Sequence, residues 1–413
     1  MECARYVIAI PTYWTAPQPR SESGPIYDHP TPLDQEGTLL RTLESLTILG
    51  LSQVAVVVLA VAQPPAQQQA VEDRIRALLG DAPTCLDKRL YLFSYSHLKH
   101  LQTHVARATQ NERFSDLLCL DGYSQIRNVG LLVAQLLRAE ALIFVDDDES
   151  LDDPDFLEKA VEFLGSTQDG VLVEAVAGYY RYWDGRYRLK EGAEPWQVYW
   201  NPARWMNRAF EAYLEHPPRL KQTPFAFGGC FALSHTLMAR LPFDPRIPRG
   251  EDIDYLINAR LCGVPVFLDR NLSLVHAPSP KTSTSWEQLC IDAQRFLYER
   301  AKLDPEAAKY AGYVPVSAES LNPYPGVVLT ADVQTRFAKA FAALAQAYRR
   351  QGDTQAADAC RRCIDELATW HAKPAVVFAH LRGLQARWRQ LTQTLSNLNG
   401  EQTFLEKVAR PYT

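Results

Sequence analysis

Three consecutive carboxylates close an apolar segment in the middle of the chain. Residues 141–145 are all apolar, and Asp146, Asp147 and Asp148 follow them directly. This pattern predicts a buried strand, and open α/β sheets bind ligands at the carboxyl ends of their strands. Alternate residues of an extended segment point the same way, so Asp146 and Asp148 are expected to act together. Such ligands suit Mg²⁺ or Mn²⁺ carrying a diphosphate; the alternative is a solvated acidic turn.

A second acidic cluster, Gly250–Asp254, precedes a stretch with helical spacing. Carboxylates at the start of a helix are often only caps that the helix dipole favours. That alternative explains one acid better than it explains Glu251, Asp252 and Asp254 together. A helix cap alone therefore does not account for the cluster.

Two further features carry less weight when each is taken alone. The glycine pair Gly228-Gly229 lies between apolar residues, which either lets a ligand approach the backbone closely or forms a plain tight turn. Residues 272–275 indicate a short strand that ends at His276. This histidine is either structural or a further metal ligand beside the aspartate triplet.

The order of these pieces resembles the nucleotide-sugar-dependent glycosyltransferases of the GT-A fold, in particular the large inverting family 2. The resemblance covers about residues 5–280. Its matching stretches are Ile8–Tyr13, Gln125–Gly130, Phe144–Asp148, Phe227–Cys230 and Gly250–Asp254. The second stretch is similar to the Arg-Asn-x-Gly helix, and the third to the DxD strand. Each stretch is weak alone, and their order and spacing together carry the resemblance.

The resemblance implies a role for each position. Mn²⁺ or Mg²⁺ would be held by Asp146, Asp148 and His276. The nucleotide-sugar donor would be bound by Pro11, Thr12, Tyr13, Arg127, Asp147, Gly228 and Gly229. Asp252 would be the base that takes a proton from an acceptor hydroxyl, and Glu251 would orient the acceptor or the loop. A base on the face opposite the leaving group inverts the anomeric centre.

Some alternatives remain open. A retaining enzyme on the same fold, making a small glycosylated solute, would use the same metal site without Asp252 as a base. A non-catalytic sugar- or nucleotide-binding scaffold would use its helical tail to bind partners. The acidic residue that family members often place after the second strand has no clear match in residues 61–65. The donor therefore stays open between a uridine diphosphate sugar, which is favoured on frequency alone, and a guanosine diphosphate sugar.

The elements that must position these residues follow an α/β pattern. Strands are predicted at residues 6–10 (ended by Pro11), 54–62, 89–93 and 141–145, with helices at 38–49, 66–79 and 126–137. This alternation predicts a GT-A (Rossmann-like), mostly parallel sheet flanked by helices. Residues 13–37 are expected to be a long loop. Asp184-Gly185 predicts a hairpin turn between residues 180–183 and 186–189.

Aromatic residues are dense in the stretch where the family builds its acceptor surface. Trp183, Trp196, Trp200 and Trp205 all lie between the two acidic clusters. They would either stack on sugar rings of an acceptor or pack the hairpin that the sequence predicts there.

We expect a GT-A catalytic domain at 1–280, with a nucleotide-binding half at 1–150 and an acceptor half at 151–280. A mainly helical C-terminal region would follow at 281–413. Residues 331–413 carry 12 Lys and Arg against 7 Asp and Glu, a net charge of +5. Basic helices of this kind could contact a membrane surface or an oligomer partner, or simply be solvated.

Composition narrows the class of protein. The net charge of −5 over 413 residues argues against general nucleic-acid binding. The eight cysteines show no disulfide-like spacing, which predicts a reducing compartment. Cys360 and Cys363 form a CxxC inside a helical stretch, a weak candidate for zinc or redox chemistry. The apolar run 54–62 is too short to cross a bilayer, so a cytoplasmic protein is expected, with room for peripheral contact at the inner membrane.

Overall fold

The computed structural model of the chain describes residues 4–16, 27–109, 114, 116–278 and 283–398. Its strands are β1 (Tyr6–Thr15), β2 (Thr31–Pro32), β3 (Val54–Gln63), β4 (Leu90–Phe93), β5 (Ala141–Phe144), β6 (Glu149–Ser150), β7 (Thr167–Gln168), β8 (Val171–Leu172), β9 (Ala175–Arg181), β10 (Leu220–Gln222), β11 (Phe231–Ser234) and β12 (Phe267–His276). Its α-helices are α1 (Leu39–Ser45), α2 (Gln68–Gly80), α3 (Tyr95–Thr109), α4 (Tyr123–Leu136), α5 (Phe156–Val161), α6 (Pro202–Leu214), α7 (His235–Arg240), α8 (Glu251–Leu261), α9 (Ser285–Ala301), α10 (Pro305–Tyr310), α11 (Val333–Arg350), α12 (Thr354–Glu366) and α13 (Pro374–Leu398).

Ten strands of the described residues form one sheet, whose main path runs β10-β12-β9-β11-β5-β1-β3-β4. Strands β4, β3, β1 and β5 are parallel to one another, and β11 lies antiparallel between β5 and β9. Every residue of β3 is buried, as expected of a β-branched strand covered on both faces. The predicted α/β class, with its mostly parallel core and helical C-terminal region, is confirmed.

Strand β1 does not end at Pro11, as the sequence suggested. It pairs with β3 from Tyr6 through Thr15. Its pairing with β5 ends at Ala9, opposite Phe144, and the Ala9 carbonyl accepts the N–H of Val145 at 3.1 Å. Pro11 lies two residues further along β1, so its backbone nitrogen points to the same side as the backbone of Ala9. At that position β5 has already ended. The missing N–H of proline therefore costs no ladder hydrogen bond.

Beyond Thr15, residues 17–26 of the expected loop lie outside the described residues. Strand β2 runs parallel to the end of β1 and pairs Thr31 with Trp14. The residues that connect to β2 bring Asp28 and His29 to a cavity at the carboxyl end of the sheet. The predicted loop thus returns to the carboxyl end of the sheet.

The predicted hairpin at Asp184-Gly185 is only half present. The turn forms, and the Tyr182 N–H donates to the Arg186 carbonyl at 2.7 Å. Residues 186–189, all of which the structure describes, form no paired strand. The side-chain amide of Asn207 on α6 instead bonds both the N–H and the carbonyl of Leu189, at 2.7 and 2.9 Å. This side-chain pairing replaces the second strand.

The tryptophans of this region do not act alike. Trp200 and Trp205 are buried, and the ring of Trp200 packs on Phe337 of α11 and Phe296 of α9, with centroids 4.1 and 5.1 Å apart. Trp183 is 62% exposed. Trp200 and Trp205 are therefore core residues, but Trp200 packs on the C-terminal helices and not as the expected filling of a hairpin.

A disulfide joins Cys290 on α9 to Cys363 on α12, so the expectation of reduced cysteines is wrong for this pair. The two residues are 73 positions apart, and only the packing of the C-terminal helices brings them together. Cys363 belongs to the CxxC and is used in this bond, while Cys360 is a buried free thiol. In the described part of the chain, no helix is both long and apolar enough to span a lipid bilayer.

Candidate functional site

A cavity of about 440 Å³ opens at the carboxyl ends of β1 and β5. Predicted site residues from all five stretches line it, and His276 joins them from the end of β12. They are Tyr13, Arg127, Asp146, Asp147, Asp148, Gly228, Glu251, Asp252 and His276. Pro11, Thr12 and Gly229, which are also described, lie outside this lining. The fold therefore brings most of the predicted set to one place.

The aspartate triplet forms a turn rather than an extended segment. The Glu149 N–H donates to the Asp146 carbonyl at 3.2 Å, which closes the turn directly after β5. The expected alternation therefore fails, and the carboxylates point to different partners. Asp146 accepts from Nη2 of Arg127 at 2.8 Å, whereas Asp148 lies 3.5 Å from Nε2 of His276.

Asp147 is held from behind by β1. Oγ1 of Thr12 donates to Oδ2 of Asp147 at 2.5 Å, and Nε1 of Trp14 donates to Oγ1 of Thr12 at 2.8 Å. Burial, followed by the charge of Asp148, raises the pKa of Asp147 well above its ordinary value. Thr12 thus supports the acidic turn.

A fourth acid, Glu149, was not singled out from the sequence. It is fully buried, and one of its oxygens accepts the N–H of Asp146 at 2.8 Å. A Cβ at Gly229 would lie 2.4 Å from Glu149 Oε1 and 2.7 Å from Asp146 Oδ2. Residue 229 must therefore be glycine for the chain to pass this close to the acids. In the sequence, Glu149 could have been recognised as a site residue because it continues the run of acids from Asp146 to Asp148.

Within the residues that the structure describes, no group of three or more His, Cys, Asp or Glu side chains forms a ready metal site. Asp148 and His276 nevertheless offer a carboxylate and an imidazole side by side. Burial would raise the pKa of Asp148, but the hydrogen bond and charge of His276 outweigh it and lower that pKa. An ionised carboxylate and an imidazole are ligands that suit Mn²⁺ and Mg²⁺. The donor set therefore fits a divalent cation, with Asp146 in the same cavity.

The second acidic cluster starts α8. Gly250 has φ +72°, and the helix begins at Glu251. Glu251 accepts from Nε of Arg127 at 3.2 Å, and burial raises the pKa of Glu251 to about 7. Oδ2 of Asp252 accepts the N–H of Gly228 at 3.1 Å, and burial raises the pKa of Asp252 as well. The glycine stretch thus adjoins the proposed base.

Arg127 joins the two acidic clusters. It is almost fully buried and reaches Asp146 through Nη2 and Glu251 through Nε. A Cβ at Gly228 would lie 2.6 Å from its Nη2. Two carboxylates therefore hold the guanidinium. The resemblance implied that the same guanidinium would bind the donor, which stays a prediction.

Asp254, the third acid of the cluster, points into the protein. It bonds Nζ of Lys302, which also lies 3.4 Å from Asp244 and 3.0 Å from Oδ1 of Asn258. On α13, Nε2 of His380 lies 2.9 Å from Asp244. These groups anchor α8 to the C-terminal helices, so Asp254 has a structural place.

Several cavity residues carried no signal in the sequence. Tyr180 accepts the N–H of Gly229 at 2.7 Å, and its ring stacks on His276 with centroids 4.9 Å apart. Helix α9, which follows the stretch with the family resemblance, contributes further polar side chains. The additional lining residues include Asp28, His29, Arg249, Gln288, Asp292, Arg295 and Tyr324. They reach the cavity through tertiary packing, which local patterns do not record.

No protein-family model matches the chain, and no curated protein matches its sequence. Solved structures that it resembles include a mannosyltransferase from Pyrobaculum calidifontis in complex with GDP-Man and Mn²⁺, at 16% identity and TM-score 0.43, covering 94% of this chain and 87% of that one. GalNAc-T7 with UDP, GalNAc and Mn²⁺ is 13% identical at TM-score 0.39, covering 75% of this chain and 52% of that one. Glucosyl-3-phosphoglycerate synthase from Mycobacterium tuberculosis in complex with Mn²⁺ and UDP-Glc is 15% identical at TM-score 0.35, covering 71% and 77%. Glycosyltransferases are thus among the structures that the chain resembles. At such low identity and TM-score, its chemistry has to be inferred from its own side chains.

Proposed function

We propose that the protein is a metal-dependent glycosyltransferase, which moves a sugar from a nucleoside diphosphate to an acceptor hydroxyl with inversion. One observation carries the proposal. A single cavity holds a carboxylate–imidazole pair that fits a cation, Asp148 with His276, and a partly buried carboxylate that fits a base, Asp252. Sugar transfer needs both a site for the leaving diphosphate and a proton acceptor, in one enclosed space.

The donor would lie over the acidic turn. A divalent cation held by Asp146, Asp148 and His276 would offset the growing negative charge of the departing diphosphate. Arg127 fixes the carboxylate of Asp146 through its 2.8 Å bond. Gly228 has no side chain, which leaves room for the guanidinium of Arg127 beside its backbone.

The acceptor hydroxyl would meet Asp252. The oxygen of the hydroxyl attacks the anomeric carbon, the bond from that carbon to the diphosphate breaks, and the proton passes to the Asp252 carboxylate. Backbone N–H groups of Gly228 and Ile253 hold its two oxygens at 3.1 and 2.7 Å. Burial raises the pKa of Asp252, which makes it a better proton acceptor. Attack from the face opposite the diphosphate inverts the anomeric centre, and NMR of the product anomer separates this route from retention.

The test is donor binding by calorimetry, with UDP-glucose and GDP-mannose, each with and without MnCl₂. We expect the wild-type protein to bind one of these donors only with Mn²⁺, which also identifies the nucleotide. Asp148→Asn should weaken this binding at least about tenfold, because a charged ligand is lost. Asp252→Asn should keep donor binding and lose about 10²–10⁴ in transfer rate.

The matched control is Asp155→Asn, at an exposed position near the same turn. Donor binding that ignores both Mn²⁺ and the Asp148 substitution would contradict the proposal. Hydrolysis of the bound donor by the wild-type protein would exclude a purely non-catalytic scaffold. Membrane contact or self-association through the basic C-terminal helices stays a separate prediction, which flotation with anionic liposomes and sedimentation would measure.

A further inference from the structure

Helix α9 presents a polar stripe to the cavity. Gln288, Asp292 and Arg295 all line it, and their spacing of four and three residues places them on one face of the helix. The stripe belongs to the C-terminal region, outside the stretch with the family resemblance. Nothing in the donor chemistry above uses it.

The stripe adjoins the proposed base. Nη1 of Arg295 donates to the carbonyl of Gly250 at 3.4 Å, and Nη2 donates to Asp292 at 3.2 Å. Gly250 lies two residues before Asp252. The charge of Arg295 also opposes the effect of burial on the pKa of Asp252. Since Asp252 takes the proton of the acceptor, the stripe lies where the acceptor must bind.

The side chains of the stripe are held in place. Asp292 accepts from Nε1 of Trp200 at 2.9 Å, and the Arg295 side chain is only 6% exposed. Their arrangement is therefore formed before a ligand arrives, which reduces the entropy cost of binding.

The chemistry of the lining favours a ligand rich in hydroxyl groups. A carboxylate accepts, a guanidinium donates and an amide does both, which together match the mixed donors and acceptors of hydroxyls. The charges of Asp292 and Arg295 balance, so the stripe does not favour a strongly charged group. The same cavity also has apolar lining from Pro202, Met206 and Phe227. Sugars share this combination of polar edges and apolar faces, whereas a lipid chain lacks the polar part.

We propose that the Gln288–Asp292–Arg295 stripe is the acceptor subsite and that it takes a sugar or polyol, whose hydroxyls it binds beside the reacting one. This inference rests on the proposed function and adds the class of acceptor. It also gives the C-terminal region a direct part in substrate recognition.

The test measures transfer from the donor that binds with Mn²⁺ to a panel of probes: glucose, mannose, galactose, lactose, cellobiose, glycerol and n-octanol. We expect transfer to at least one sugar or polyol, and none to n-octanol. Gln288→Ala removes one neutral hydrogen-bonding group and should raise the acceptor KM about threefold to tenfold. Arg295→Gln should raise it more than about tenfold, because the lost bonds are charged. The dissociation constant of the donor should change less than about twofold in either variant.

Gln294→Ala is the matched control, because Gln294 lies on the same helix and is exposed. Gln288 is only partly buried, so its truncation tests the subsite even if replacing Arg295 weakens folding. An acceptor KM that is the same for the Gln288 and Gln294 variants would overturn the inference. Transfer to n-octanol alone would also overturn the inference. So would a protein that hydrolyses the donor but transfers its sugar to none of the sugars or polyols. Loss of Mn²⁺-dependent donor binding in the wild-type protein would instead overturn the proposed function.

Discussion

Arg127 is a single residue that forms ion pairs with both acidic clusters of the site. Its buried guanidinium lies between Asp146, which belongs to the acidic turn, and Glu251, which starts α8. An unpaired charge at this depth would be very costly, and charge-assisted bonds to two carboxylates offset that cost. One side chain therefore bridges the two acidic clusters.

Glu251 should make stability depend on pH. Burial raises its pKa from 4.5 to about 7, although Arg127 opposes this. Between these values the folded protein binds a proton that the unfolded chain releases. The stabilisation from that proton is complete below about pH 4.5 and is lost as the pH rises through 7. Relative to Glu251→Gln, the unfolding free energy of the wild-type protein should fall across this window, by about 3 kcal/mol at most.

Urea unfolding at pH 5, 6, 7 and 8 in the presence of EDTA measures this difference. Glu158→Gln, at an exposed position on α5, is the control, and its difference from the wild-type protein should stay nearly constant. A difference for Glu251→Gln that does not change between pH 5 and 8 would show that its carboxyl titrates in the same range folded and unfolded.

At the scale of elements, the start of α8 depends on contact with α9. Gly250 has φ +72°, and a Cβ there would lie 1.5 Å from Nη1 of Arg295. Gly352 has φ +81° but open space around an added Cβ. Both Gly→Ala changes carry the left-handed backbone cost of about 1–2 kcal/mol. Gly250→Ala should cost about 1–3 kcal/mol more, because Arg295 must move, and it should raise the acceptor KM. Denaturant unfolding measures the loss of unfolding free energy in both variants. Equal losses would show that the Arg295 side chain moves without a measurable cost.

The buried ion pairs beneath α8 should be as sensitive to substitution as Gly250. Lys302 is fully buried between Asp244 and Asp254. Lys302→Met leaves both carboxylates without their cation, and breaking a buried ion pair costs about 3–5 kcal/mol. Lys309→Met, which removes an exposed lysine paired with Glu306, should change the unfolding free energy little. Denaturant midpoints at neutral pH test this, and a loss below about 1 kcal/mol for Lys302→Met would show that water replaces the pair.

The elements explain what the sequence could and could not predict. β-branched runs such as residues 54–62 predicted the parallel strands, because burial on both faces leaves a continuous apolar pattern. Tyr13 and the aspartate triplet line one cavity, because β1 and β5 are parallel and their carboxyl ends share an edge of the sheet. The directions of Asp146 and Asp148 could not be predicted, because the turn that Glu149 closes replaces the extended backbone. The α9 stripe and the Cys290–Cys363 bond arise from packing between distant segments, which leaves no local pattern.

On the scale of the whole molecule, the C-terminal helices complete the site. Phe337 of α11 packs on Trp200, and Trp200 donates to Asp292 in the cavity wall. His380 of α13 bonds Asp244, which faces the buried Lys302. Removing these helices would therefore expose the wall of the cavity as well as the core.

The disulfide should contribute much of the stability of the C-terminal region. It closes a loop across 73 positions between α9 and α12, for which loop entropy gives about 4 kcal/mol of stabilisation. Cys363→Ser should lower the free energy of unfolding by about this amount. Dithiothreitol should lower the free energy of unfolding of the wild-type protein by a similar amount and should leave that of the variant unchanged. Cys85→Ser removes an exposed free thiol and serves as the control. Urea unfolding with and without reductant gives the comparison. If the reduced and oxidised wild-type proteins unfold at the same midpoint, packing of α9 on α12 holds the helices together without the covalent bond.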